Sequence, residues 1–529
     1  MRPDRSTPVE LVWFKRDLRV RDHAALTAAV ERGREAGRKT VGLYVFEPEV
    51  CRAQEFDGQH LSYLLDALGE LSESLAKRGI PLLLRTGAMP EVLRELRREV
   101  PFARLWSHEE TGLLATFARD LRVAEWARGA SIAWTELPQT GVVRRLRTRD
   151  GWARLWSQRM EAPPAEVRGR GLGPAWLVPD PVPQADDPRC EVWGVRPALR
   201  VDQSRGGERA ARKVLSSFLD KRGSGYTPAM SSPGPARTGC SRLSEHLAFG
   251  TVSMRSVWQA TSERLSELYA AEPDADTKRW RRSLNAFAQR LHWHCHFMQK
   301  LEDKPDLEDR NLHPGYDGLR EAEFNDQRLE AWKAGLTGYP MVDACMRSLV
   351  ATGWLNFRMR AMLMSFASYH LWLHWRGTAP WLGAQFLDFE PGIHYAQAQM
   401  QSGVTGINTL RMYSPAKQAV DHDPEGSFIR HWVPELRAVP TLHLAEPHLM
   451  TRAEQVACGV QVGCDYPLPI VDHKEAIAHA RARFAAVRRD PQVRAEAQRV
   501  LRKHGSRKRT HSRARKKDEP SLFDDGAQT

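Results

Sequence analysis

No uninterrupted apolar run in this sequence approaches the roughly 18 residues that a membrane-spanning helix needs, which excludes a helical span. The opening MRPDRSTPVE passes directly into a strand-like apolar segment. It lacks the long apolar stretch and small-residue cleavage site of a secretory signal, so the expected location is the cytoplasm. Cysteine is scarce: seven residues, an odd number, are scattered from Cys51 to Cys464. No C-x-x-C pair occurs and the Cys458–Cys464 spacing suits no zinc ribbon, so free or buried thiols are expected, not a disulfide framework. A P-loop and a convincing dinucleotide fingerprint are also missing. Negative charge is in deficit. With 78 Lys and Arg against 65 Asp and Glu, the formal charge of +13 suits a polyanionic partner better than an acidic one.

A chain of 529 residues, 42% of them hydrophobic, is long enough for two domains. Between residues 8 and 140, short apolar runs at Leu11–Phe14, Val41–Phe46, Pro81–Arg85, Phe102–Ser107 and Ile132–Thr135 alternate with stretches of helical periodicity such as 58–78 and 112–128. The pattern predicts a doubly wound parallel sheet with a ligand crevice at the strand C-termini. From 141 to 206, and densest from 160, proline and glycine predict a surface connector without long regular elements. From 207 to 490 the chain reads as an all-helical domain, with helices over 208–221, 246–271, 278–301, 340–352, 355–375 and 473–489. The basic end, 502–529, has almost no apolar content in RKHGSRKRTHSRARKK. It is expected to be a disordered, solvated tail or a non-specific phosphate-binding arm. In His292-Trp293-His294-Cys295-His296 two histidines share a helical face and His294 points away, so three metal ligands cannot converge and no metal is expected.

Several ordered motifs carry a resemblance. They are Val12-Trp13-Phe14-Lys15-Arg16-Asp17-Leu18-Arg19 near the start, SRLSEHLAFGTVS at 241–253, TGYPMVDACMRSLVATGWLNFRMR at 337–360, DPEGSFIRHWVPEL at 423–436 and YPLPIVDHKEA at 466–476. Together they resemble the cryptochrome/photolyase family from about residue 10 to 490. The resemblance implies a blue-light-absorbing flavoprotein that holds FAD and handles DNA. It implies a flavin diphosphate at Cys240, Ser241, Arg242, Leu243 and Ser244, where a helix N-terminus would suit an anion, with Tyr226 packing nearby. It places Trp354, Leu355, Asn356 and Phe357 together with Asp388, Phe389 and Glu390 around the isoalloxazine, and pairs Arg360 with Asp388. Four suitably placed cysteines for the iron–sulfur branch are missing. A second, antenna chromophore (folate, deazaflavin or pterin) would belong near His108-Glu109-Glu110-Thr111-Gly112.

The departures from the family pattern lie at the DNA end. Trp293 and Arg358 match a lesion-packing tryptophan and a phosphate contact, but Arg290 stands where dimer-repairing relatives carry a glutamate. Phe357 replaces a lesion-binding asparagine, Met400 falls in an altered tryptophan-rich segment, and His394 falls where an asparagine faces flavin N5. Of the family's three relay tryptophans, Trp375 is the middle one, Ala398 occupies the proximal place, and no tryptophan lies near 322–324. The expected activity is repair of pyrimidine dimers in damaged duplex DNA by a deoxyribodipyrimidine photo-lyase type enzyme, working as a monomer. The alternative is a cryptochrome-like photoreceptor that repairs nothing and signals to a partner.

Overall fold

A computed structural model describes residues 7–505. Strands β1 (Val9–Phe14), β2 (Thr40–Phe46), β3 (Leu82–Thr86), β4 (Phe102–His108) and β5 (Ala133–Leu137) form one sheet in the order β3-β2-β1-β4-β5. Every pairing is parallel. All six residues of β1, VELVWF, are buried, so both faces of the sheet are covered, as parallel sheets require. Alternate side chains serve different cores. Val12 and Phe14 pack with Leu26 of α1 (Ala24–Glu35) and with Leu61, Leu64 and Leu68 of α2 (Gly58–Ala76). Leu11 and Trp13 pack on the opposite face with Leu93 and Leu96 of α3 (Glu91–Glu99) and Val123 of α4 (Leu114–Gly129). Glu10 is the polar member of this strand. Its buried carboxylate accepts a hydrogen bond from Trp106 Nε1 at 2.7 Å and pairs with Arg38 at 3.2 Å, which offsets its desolvation.

The connector is more structured than its proline content suggests. It contains the helices Trp152–Glu161 and Arg189–Trp193. Trp193 is buried and stacks on Phe46 at 4.3 Å, while Trp152 and Trp156 join a core of the helical part. Prolines limit element length, but short turns between them still bury aromatic side chains.

The helical part includes α5 (Ser244–Ala248), α6 (Ala275–Asp303), α7 (Pro340–Thr352), α8 (Phe357–Ser365), α9 (Trp375–Gln385), α10 (Pro391–Gln401), α11 (His473–Arg489) and α12 (Pro491–His504). Proline opens α7, α10 and α12, where its missing N–H costs nothing. Three expected elements differ. The helix expected over 246–271 is broken after Ala248 and resumes at Met254, with Gly250 at φ 65° in the break. The helix expected over 355–375 ends at Ser365, passes through a π-turn at Phe366–His370 and stops where Trp372 takes φ 57°. Trp375 therefore opens α9 instead of closing α8. Finally, α12 extends to His504, so the first residues of the expected disordered tail are helical, and the remainder lies outside the described residues. No helix among the described residues is long and apolar enough to cross a membrane.

Candidate functional site: a cavity in the helical domain

One cavity of about 340 Å³ is walled by α6, α8 and α10 together with the segments around Tyr226, Ser241 and Asp388. It gathers residues that lie far apart in the chain: Tyr226, Cys240, Ser241, Arg242, Leu243 and Ser244, then Trp354, Leu355, Asn356 and Phe357, then Arg360, Asp388, Phe389 and Glu390. Arg290, Trp293, Arg358 and His394 line the same cavity.

In its wall Arg360 holds Asp388 with two bonds, Nη1 to Oδ1 at 2.9 Å and Nη2 to Oδ2 at 2.8 Å. Burial works against the Asp388 charge, but the Arg360 guanidinium outweighs it and lowers the carboxyl pKa. Arg360 is fixed from its other sides by Leu355 O at 2.6 Å and by the Phe386 ring at 4.1 Å. Arg242 sits at φ 58°, a left-handed conformation that costs a non-glycine residue about 1–2 kcal/mol. That backbone directs its guanidinium over Trp354 at 4.3 Å and onto Glu245 at 2.9 Å. The following α5 has only five residues, so its dipole is a small contribution and Arg242 itself is the main positive charge there.

Two histidines in the wall have opposite electrostatics. His294 Nε2 donates to Glu390 Oε2 at 2.6 Å. Burial alone would lower the His294 pKa, but the Glu390 carboxylate reverses this and pushes it up to about 10, so the imidazole is a cation at neutral pH. Burial lowers His394 to about 4, leaving it neutral. Its Nε2–H donates to Ala379 O at 2.7 Å, so Nδ1 remains as an acceptor.

Phe357, 37% exposed, marks an open side of the cavity, and the Arg290 guanidinium lies over its ring at 5.5 Å. Trp293 stacks on Phe297 at 5.8 Å. Two expected site residues are elsewhere. Met400 is buried but does not line the cavity, because α10 turns Ile393, His394, Gln397, Ala398 and Gln401 toward it. Trp375 is fully buried outside the wall, 6.0 Å from Tyr395. Sequence reasoning missed Gln397, Gln401 and Arg411 as lining residues, and it missed Arg16 as a support. From the loop after β1, Arg16 donates to Ala248 O at 2.8 Å and Phe389 O at 2.6 Å, anchoring two segments of the wall.

The cavity fits a polar cofactor. Arg242 Nε, Asn356 Oδ1, Arg358 Nε, Gln397 Nε2 and Gln401 Oε1 are buried in its wall without a protein partner. Such atoms are costly unless something bonds to them. In the α/β part, Asp17, His23 and His108 have ligand-like spacing. His23 Nδ1 accepts from Leu26 N at 3.0 Å, so its proton sits on Nε2, 3.0 Å from Asp17, while His108 Nδ1 lies 2.7 Å from the same oxygen. A metal would need the Nε2 lone pair that this tautomer lacks. Near the strand ends Lys15, Arg119 and Arg144 form an ion network with Glu47, Glu110, Asp120 and Glu136.

A doubly wound sheet joined to a helical domain with this cavity defines a class, and residue-level comparison supplies the family. Residues 10–151 match the family model described as DNA photolyase, and residues 287–486 match the one described as the FAD-binding domain of DNA photolyase. The chain belongs to the DNA photolyase family, and FAD is its cofactor. It is 32% identical over 502 residues to a deoxyribodipyrimidine photo-lyase of Streptomyces griseus, covering 91% of this chain and 99% of that one. It is 29% identical to a cryptochrome DASH of Gloeobacter violaceus, covering 91% and 96% respectively. The crystal structure of a class III photolyase from Agrobacterium tumefaciens matches with a TM-score of 0.75 and 27% identity, covering 92% of this chain and 98% of the other.

Proposed function

We propose that the protein is a light-driven lyase that repairs pyrimidine dimers in DNA. Bound FAD would supply electron transfer driven by blue light. The chain's residues supply the rest. Arg242, with Ser241 and Ser244, would hold the diphosphate, and the Arg360–Asp388 pair would set a fixed charge pair against the flavin. His394 offers an acceptor, and Tyr226, Trp354 and Leu355 exclude water. Trp293 packs against a flipped base, whose poor stacking in a lesion lowers the cost of flipping. Arg358 contacts phosphate, with an affinity that falls as salt rises. In this reading the protein works as a cytoplasmic monomer on damaged duplex DNA, with residues 8–140 as the antenna domain for a folate, deazaflavin or pterin.

The observation that carries the reading is the single cavity that combines the Arg360–Asp388 pair with Trp293 and two arginines, Arg290 and Arg358. Arg290 also favours a second reading, a photoreceptor that signals to a protein partner. A guanidinium only donates, so it cannot accept the N–H of a pyrimidine as a carboxylate would. Photoreduced protein is incubated under blue light with oligonucleotides carrying either a cyclobutane dimer or a (6-4) product. Recovery of thymine absorbance for one of them supports repair, and no recovery for either overturns it in favour of the photoreceptor.

A further inference from the structure

We propose that Tyr395 is the residue that reduces the photoexcited flavin, that Glu55 takes its proton, and that the oxidising equivalent stops at Tyr395 without passing to Trp375. The inference rests on FAD occupying the cavity described above.

Tyr395 is 1% exposed and lies directly behind the cavity wall. Its ring is 5.3 Å from that of His394 and 6.3 Å from that of Phe389, both of which line the cavity. It precedes Ala398 by three residues on α10, so the two side chains are neighbours on one side of the helix. An aromatic ring therefore stands one turn away from a lining position that is aliphatic. The phenol donates its hydrogen bond to the Glu55 carboxylate, which the α/β domain contributes. In the dark the phenol keeps its proton, because burial and then the Glu55 charge raise its pKa.

Trp375 is a neighbouring ring, 6.0 Å from Tyr395, yet it has no base. Its Nε1–H donates to the Asn311 amide oxygen at 2.7 Å, and Asn311 in turn donates to Asp317 at 2.7 Å. An amide does not accept a proton at ordinary pH, so loss of an electron would leave a cation in a fully buried site. Tyr395 avoids that cost. One electron leaves the phenol for the photoexcited oxidised flavin, the O–H bond breaks, and the proton moves along the existing hydrogen bond to Glu55. The products at this site are a neutral phenoxyl radical and a protonated carboxyl group. An external thiol reductant later restores the phenol with one electron, and the proton returns from Glu55.

The test uses full-length protein whose flavin content is first measured by absorbance. Frozen samples are illuminated with blue light and the radical is recorded by electron paramagnetic resonance. The expected hyperfine structure collapses when the protein carries ring-deuterated tyrosine and persists with ring-deuterated tryptophan. Y395F should abolish this radical and slow flavin photoreduction at least about tenfold, and E55Q should lower the radical yield by about tenfold with flavin retained. A radical that follows the tryptophan label, or Y395F protein that photoreduces at the parent rate, overturns the relay while leaving the flavin site intact. Protein that binds no FAD overturns the flavin site and the relay together.

Discussion

His294 and Glu390 face each other at 2.6 Å in the cavity wall, and the charge state of that pair sets the field any guest experiences. Burial and the carboxylate act on His294 in opposite directions, and the carboxylate wins, raising the pKa to about 10. The sign for stability follows. An unfolded histidine titrates near about 6.5, so the pair's contribution is complete below that value and is lost as pH rises through the folded value. Removing the carboxylate leaves burial unopposed. In Glu390→Gln the His294 pKa should fall below the ordinary histidine value, and its ring resonances, followed by NMR from pH 5 to 9, should report a neutral imidazole at neutral pH. An imidazolium that persists in E390Q would show that another group holds the proton. His394, one α10 residue before Tyr395, has the reverse character. Neutral and donating to Ala379 through Nε2, it presents an acceptor where an asparagine could present either an acceptor or a donor.

At the scale of elements, the loop after β1 and the break after α5 act as one joint. Gly250 has φ 65°, and a Cβ there would lie 2.1 Å from Arg16 O, so backbone packs against backbone. Arg19 Nη1 donates to Gly250 O at 2.9 Å, and Arg16 supports Ala248 and Phe389. Gly250→Ala should combine left-handed strain with this clash and destabilise by about 2 kcal/mol or more, read as a lower urea midpoint with reduced flavin retention. An unchanged midpoint would show that the joint can open without cost. The same joint explains which parts of the structure the sequence could reveal. β1 was legible because VELVWF is apolar at five of six positions, a pattern set by local composition. The breaks at Gly250 and Trp372 were not, because tertiary contacts impose them on otherwise helical periodicity. The cavity was legible where its residues fall in contiguous motifs, such as Trp354–Arg360. Arg16 escaped notice as a support for the wall because its bonds go to main-chain carbonyls more than 200 residues away, and those leave no side-chain pattern.

The whole molecule is held together across its two halves. Gln59 donates to Ala384 O at 2.7 Å and Thr111 to Glu302 at 2.7 Å, and Tyr395 reaches Glu55. Polar bonds at several points make large relative movement of the halves costly, so DNA must be met by a preformed surface. The net charge of +13 gives that surface long-range attraction for phosphate. Much of the excess lies in RKRTHSRARKK, beyond α12. Phosphate contacts position a protein on a duplex but carry no information about the base, so this segment should add affinity without lesion preference. Ending the chain after Gly505 leaves α12 complete. It should weaken binding to damaged and undamaged duplex by the same factor and make the plot of log affinity against log salt shallower by about 0.9 for each phosphate no longer neutralised. Titration of both duplexes at several salt concentrations measures these effects. A shortened chain that loses its preference for damage while keeping its affinity for intact duplex would instead place lesion recognition in that segment, away from Trp293 and Arg358.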